Sequence, residues 1–68
     1  MRKLFEAEFD NLCFRIEEDD PEVGAYLYVF TGGNCIRDYL QNSVHDCRQF
    51  AFDEYGVPVG TWYEVKNS

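Results

Sequence analysis

The chain has 68 residues, and its 13 acidic side chains against 6 lysines and arginines give a formal net charge of −7 at pH 7. This charge repels phosphate backbones and anionic membrane surfaces, so nucleic acids and membranes are excluded as expected partners. With 46% hydrophobic and 28% charged residues, the composition is typical of a folded chain, and the length predicts one small domain over 1–68.

Cysteine usage and hydropathy predict a soluble cytoplasmic protein. The longest nearly apolar run, VGAYLYVF at 23–30, is far shorter than the roughly 20 residues of a membrane helix. The N-terminal stretch MRKLFEAEF is interrupted by acids, unlike a signal peptide. Cys13, Cys35 and Cys47 are odd in number and lack a CxxC pair, which favours reduced thiols over a disulfide framework.

The first predicted element is a β-hairpin, KLFEAEF-DN-LCFRIEE, with Asp10 and Asn11 as a two-residue turn because both tolerate positive φ. This turn places an apolar residue opposite an apolar residue along one face: Phe9 with Leu12, Ala7 with Phe14, and Phe5 with Ile16. On the other face Glu6 lies opposite Arg15, which predicts a cross-strand ion pair.

A third strand is predicted after the acidic turn EDDPE at 18–22. Along it, one alternating set is Val23, Ala25, Leu27 and Val29, and the other is Tyr26, Tyr28 and Phe30. Because both sets are apolar or amphipathic, the strand is either covered on both sides or carries an interaction surface.

A helix is predicted next, and its start is ambiguous between Asn34 and Asp38. The sequence DYLQ at 38–41 matches a capping box, and TGGN at 31–34 is interpreted as the strand-to-helix turn. The helical spacing joins an apolar stripe of Leu40, Val44, Cys47, Ala51 and Tyr55. Gly56, Val57 and Pro58 predict the end of the helix.

A last short strand is predicted in TWYEV at 61–65. The expected fold is therefore α+β, an antiparallel sheet of three to four strands with one α-helix packed on one face, in the order β-β-β-α-β.

His45, Asp46 and Cys47 are consecutive and supply the parts of a nucleophilic site. At about 100° per residue, however, His45 and Cys47 leave a helix in nearly opposite directions. The helix prediction therefore excludes a catalytic dyad, buries Cys47 as a small apolar residue and exposes His45 on the solvated side.

No metal, cofactor or small molecule is predicted. The cysteines and His45 lack the paired short spacing of a structural zinc site. The acidic turn lacks the spacing of a calcium loop, and TGGN lacks the pattern of a phosphate loop. Since no catalytic arrangement remains, we expect a protein that is not an enzyme.

The expected functional residues are those of a protein interface: Arg15, Tyr26, Tyr28 and Phe30 on the outer sheet face, and His45 with Phe52 on the polar side of the helix. Tyrosine and arginine ringed by acids are typical of an interface core and rim. Three alternatives stay open for the aromatic face: a second side of the core, a homodimer surface, or a site for a different protein.

The string LCFRIEE…YLYVF…CIRDYLQNSVHDCRQFA…EYGVPVGTWYEV resembles a family of short uncharacterised bacterial proteins with a D-x-L-Q helix start and a GVP-x-x-W ending. The resemblance implies bacterial origin and a compact α+β domain, and it implies no catalytic residues. We expect a non-enzymatic interaction module that binds itself or another protein. The leading hypothesis is self-association, and the alternative is an immunity-like, antitoxin-like or nucleic-acid-mimicking protein that neutralises a basic partner.

Overall fold

The computed structural model describes residues 3–66, which form a five-stranded antiparallel sheet and one α-helix. The elements in chain order are β1 (Leu4–Phe9), β2 (Leu12–Glu18), β3 (Ala25–Thr31), β4 (Asn34–Gln41), α1 (Val44–Tyr55), a 3-10 turn (Val59–Thr61) and β5 (Tyr63–Val65). The strands are ordered β4-β3-β2-β1-β5 across the sheet.

The predicted α+β class is confirmed, but the predicted order β-β-β-α-β and the strand count are wrong. Four strands precede the helix rather than three, and β5 returns beside β1 to complete five. The predicted domain of 1–68 also contains residues 1–2 and 67–68, which lie outside the described residues.

The predicted hairpin of β1 and β2 is confirmed at every pair. Asp10 and Asn11 have φ values of 55° and 65°, as a turn that follows the right-handed twist of the strands requires. Phe9 faces Leu12, and the register continues through the apolar pairs. The predicted ion pair forms on the other face, where Nη2 of Arg15 lies 2.8 Å from Oε2 of Glu6.

The predicted helix start at Asn34 or Asp38 is wrong, because this segment is strand β4. Gly32 and Gly33 have φ values of 56° and 82°, so TGGN is a tight hairpin turn and not a strand-to-helix connection. The chain reverses there and Asp38 pairs with Tyr28 of β3.

The helix instead begins after Ser43, which is extended (φ −158°, ψ 168°) and whose Oγ accepts the N–H of Asp46 at 3.1 Å. Leu40, assigned to the helix stripe from its spacing, therefore lies in β4 and is 55% exposed. The rest of the stripe is confirmed, since Cys47 and Ala51 are both buried.

The predicted helix end is confirmed. Gly56 adopts a φ of 80°, and its N–H donates to the carbonyl oxygen of Phe52 at 2.9 Å. Val57 then turns into the core and is fully buried.

One face of the sheet, the inner face, packs against α1 and forms the core. Its buried strand residues are 0–1% exposed: Ala7, Phe14, Ile16, Ala25, Leu27 and Val29. Cys47 and Ala51 of α1 close this core from the other side. The core residues alternate along the strands, so every second side chain points to the opposite face of the sheet.

Candidate functional site

The second face of the sheet, here called the open face, carries the side chains that point away from α1. Its centre is Tyr26, Tyr28 and Phe30 of β3, flanked across the strands by Arg15 and Glu17 of β2 and by Asp38 of β4. Because α1 packs on the inner face, the three aromatic residues are only half-buried.

Tyr26, Tyr28 and Phe30 form a continuous aromatic row along β3. The rings of Tyr26 and Tyr28 stack with centroids 6.0 Å apart and planes inclined by 18°. The rings of Tyr28 and Phe30 follow at 6.4 Å. Every second residue of a strand points to the same face of the sheet, so the three rings lie side by side although no other element covers them.

Arg15 lies beside this row and makes two kinds of contact. Its Nε and Nη2 donate to Oε2 of Glu6 at 3.0 and 2.8 Å. Its guanidinium carbon also lies 5.7 Å from the centroid of the Phe30 ring, within the range of a cation–π contact. The open face therefore already holds one arginine between a carboxylate and an aromatic ring.

Two carboxylates flank the part of the row formed by Tyr26 and Tyr28. Glu17 lies opposite Tyr26 on β2, and Asp38 lies opposite Tyr28 on β4. Burial raises the pKa of the Tyr28 hydroxyl above its usual value, and the charges of Glu17 and Asp38 raise it further, together with Tyr26. Both carboxylates are thus electrostatic neighbours of the same hydroxyl.

The hairpin end of the open face forms a depression of about 350 Å³. Glu6, Glu8 and Arg15 line it from the hairpin, and Phe30 and the 53% exposed Tyr63 contribute aromatic surface. The face as a whole carries more acidic than basic groups: Glu6, Glu8, Glu17 and Asp38 against Arg15.

The six residues expected from the sequence fall on two separate surfaces. Arg15, Tyr26, Tyr28 and Phe30 are brought together on the open face. His45 and Phe52 lie instead on the exposed side of α1, which packs on the opposite side of the sheet, and Phe52 is 49% exposed. The structure therefore does not join these two sets into one site.

The separation expected for His45 and Cys47 is confirmed. Cys47 is fully buried and its thiol donates to the backbone oxygen of Ala25 at 3.5 Å, whereas His45 is exposed. Burial raises the pKa of the Cys47 thiol from 9.0 to about 12, with a smaller contribution from Asp46. A thiol held protonated in this way is a poor nucleophile at neutral pH.

The remaining cysteines, Cys13 and Cys35, are exposed and unbridged. Within residues 3–66, no group of three or more histidine, cysteine and acidic side chains is arranged to hold a metal ion. The same part of the chain contains no helix with the length and apolarity needed to cross a membrane.

Sequence reasoning did not place Cys35, Asp38, Leu40 and Tyr63 on the open face. Asp38 and Leu40 were assigned to the helix, although the dipeptide Gly32-Gly33 is a signal for a hairpin turn that would have placed them in a strand. Tyr63 joins through the pairing of β5 with Glu6 of β1, a long-range contact that local patterns do not indicate.

Comparison with known proteins found no matching family model, no significantly similar curated protein and no significantly similar solved structure. The resemblance to short bacterial proteins accordingly stays a prediction.

Proposed function

We propose that this protein is a small non-enzymatic protein-interaction module that binds through the open face. The observation that carries the proposal is the half-buried row of Tyr26, Tyr28 and Phe30 on a sheet face that α1 leaves uncovered. Aromatic side chains bring large contact area with few rotatable bonds, and they dominate the energetics of protein interfaces.

The distribution of charge around the row supports the same proposal. Interface centres are enriched in aromatic residues and arginine, whereas acidic residues belong to the solvated rim. Arg15 lies next to the row beside Phe30, Glu17 and Asp38 flank the row on β2 and β4, and Glu8 lies further out on β1. The depression at the hairpin end adds a concave contact for a partner side chain.

The proposal also places the protein in the bacterial cytoplasm. Cys13 and Cys35 are exposed thiols without a disulfide, which suits a reducing compartment. The bacterial assignment rests on the sequence resemblance alone.

A second copy of the chain is the first occupant to test, because two open faces can stack about 10 Å apart as in a β-sandwich. Stacking buries the aromatic rows of both copies but also brings their carboxylates together. Salt screens such repulsion, so we expect any self-association to be weak at low ionic strength and stronger at high ionic strength.

Sedimentation equilibrium over micromolar to millimolar concentrations, at low and high salt, measures this association. Tyr28→Glu adds a charge to the centre of the row and is expected to give monomers at both salt concentrations. Phe52→Glu is the matched control, because it makes the same kind of change on the exposed side of α1 and should associate like the original chain.

A strict monomer under all these conditions would exclude the self-associating form of the proposal. Circular dichroism of each variant accompanies the measurement, since an unfolded Tyr28→Glu would show that Tyr28 is needed for the fold itself. Equal loss of association in Tyr28→Glu and Phe52→Glu would exclude the open face as its surface.

A further inference from the structure

The contact of Arg15 with Glu6 and Phe30 shows how this face holds a guanidinium group. Its nitrogens reach the Glu6 carboxylate across the strands at 2.8 and 3.0 Å, while its guanidinium carbon lies 5.7 Å from the Phe30 ring centroid. A carboxylate beside an aromatic ring satisfies both the charge and the flat surface of arginine.

A second group of carboxylates beside aromatic rings lies around Tyr28 on the open face. Arg15 is the neighbour of Tyr28 on β2, but within residues 3–66 its guanidinium donates to Glu6 and not to Glu17 or Asp38. Asp38 is the cross-strand neighbour of Tyr28 on β4, and Glu17 lies diagonally across from it on β2. Tyr26 extends the aromatic surface by stacking on Tyr28. Within residues 3–66, Arg15 and Glu6 form the only ion pair on this face.

We propose that Tyr28, Glu17 and Asp38 bind an arginine side chain presented by a basic protein partner. The inference deepens the proposed function and rests on it, since it names the chemistry that the open face recognises. The guanidinium lies over the Tyr26–Tyr28 rings, and the two carboxylates accept its N–H groups from either side.

Charge complementarity selects this partner over a second copy of the chain. A second open face brings its own Glu6, Glu8, Glu17 and Asp38, and its Arg15 is already bonded to Glu6. A basic partner instead neutralises carboxylates that have no ion-pair partner within the described residues, and the net charge of −7 steers it toward this protein from a distance.

Arginine is favoured over lysine for a geometric reason. A planar guanidinium can stack on the Tyr28 ring and still donate sideways to two carboxylates, whereas an ammonium is a compact, strongly hydrated point charge. The internal example on this same face is an arginine, Arg15.

Three synthetic peptides test the inference: an octapeptide of alternating arginine and serine, and the same peptide with lysine or with citrulline in place of arginine. Citrulline keeps the planar shape and removes the charge. Isothermal titration calorimetry at low ionic strength should show the arginine peptide binding roughly tenfold more tightly than the citrulline peptide. We expect the lysine peptide to bind a few-fold more weakly than the arginine peptide.

Variants of the chain locate the binding. Glu17→Gln and Asp38→Asn should each weaken arginine-peptide binding roughly fivefold, and Tyr28→Leu should reduce the preference for arginine over lysine. Glu54→Gln is the matched control, because Glu54 lies on α1 and the substitution changes the net charge by the same amount. It should bind the peptide like the original chain.

Three outcomes would overturn the inference. Equal weakening by Glu54→Gln and Glu17→Gln would mean that net charge alone attracts the peptide, and equal binding of the arginine and citrulline peptides would exclude a charged arginine site. The self-associating form of the proposed function is tested separately by sedimentation. Self-association lost in Tyr28→Glu but not in Phe52→Glu, with no peptide binding, would keep the module and overturn the arginine site.

Discussion

The two faces of the sheet are built from the same strands but differ in what covers them. Phe14 of β2 points to the inner face and is 1% exposed, with its ring against Tyr55 and Trp62 at centroid distances of 5.3 and 6.2 Å. Phe30 of β3 points to the open face, where it remains half-buried beside Arg15. The difference assigns stability to one face and leaves the other available for binding.

The largest expected effect separates the two faces directly. Phe14→Ala leaves a cavity in the core and should lower the free energy of unfolding by about 3–5 kcal/mol. A domain of this size has roughly 3–10 kcal/mol in total, so this variant should be largely unfolded or close to it. Phe30→Ala should cost only about 1 kcal/mol. Urea denaturation followed by circular dichroism measures both values.

Equal losses for Phe14→Ala and Phe30→Ala would contradict the comparison, because they would show that the aromatic row contributes to stability as a second core. Val59→Ala, which truncates an exposed side chain in the 3-10 turn, is the control for a truncation outside both faces and should stay close to the original chain.

The pH dependence of stability should also distinguish a buried thiol of the core from an exposed thiol of the open face. Between pH 9 and 12 the buried Cys47 thiol keeps its proton in the folded chain, while the unfolded chain releases it. The free energy of unfolding should therefore fall as pH rises through this window, by at most about 1.4 kcal/mol per pH unit from this group. Below pH 9 the thiol is protonated in both states and contributes no slope.

Cys47→Ala removes this contribution, so its stability should fall less steeply above pH 9 than that of the original chain. Cys13→Ala, which removes an exposed thiol from the open face, is the matched control for the loss of a cysteine. The tyrosines are common to all three chains, so the differences between the curves isolate the cysteine. Parallel curves for the three chains would contradict the assignment.

The hairpin could be predicted fully from sequence because two independent local signals agree in it. The turn residues Asp10 and Asn11 tolerate positive φ, and the register that they impose sorts apolar from polar side chains. The end of α1 could also be predicted from local signals, since Gly56 and Pro58 stop a helix through their own backbone preferences.

Strand β4 could not be assigned correctly because its local signals conflict. The sequence DYLQ has the spacing of a capping box and so predicts the start of a helix. The dipeptide Gly32-Gly33 predicts a hairpin turn followed by a strand. In the folded chain the pairing of β4 with β3 and the burial of Tyr39 against the core favour the strand. Ser43, the true cap, precedes an aspartate three residues on, a weaker form of the same motif.

Only part of the open face could be predicted from the sequence, because some of its residues come from strands that local patterns do not place. The row of Tyr26, Tyr28 and Phe30 follows from alternation along one strand. The hairpin predicts which side chains of β2 share one face, but the register of β2 against β3 is not fixed by a local signal. Asp38 and Tyr63 come from β4 and β5, whose positions depend on tertiary pairing.

A smaller loss of stability is expected when a hydrogen bond between two tyrosine hydroxyl groups on the inner face is removed. The hydroxyl groups of Tyr39 and Tyr55 lie 2.9 Å apart and join β4 to α1. This hydrogen bond raises the pKa of the Tyr55 hydroxyl above its usual value, because it is made by the protonated form. Tyr55→Phe should cost about 1 kcal/mol of unfolding free energy. Tyr26→Phe on the open face should cost almost nothing, and the reverse order would contradict the difference between the faces.

The smallest expected effect concerns the Arg15–Glu6 ion pair of the open face. Its side chains are 46% and 29% exposed, so solvent screens the attraction and the coupling should be only about 0.5 kcal/mol. A double-mutant cycle of Arg15→Met and Glu6→Gln measures it by urea denaturation. The coupling should shrink further in high salt, because exposed charges are screened. A coupling above about 2 kcal/mol that survives high salt would mean that this pair is shielded from water and stabilises the fold, and the open face would then share the structural role of the inner one.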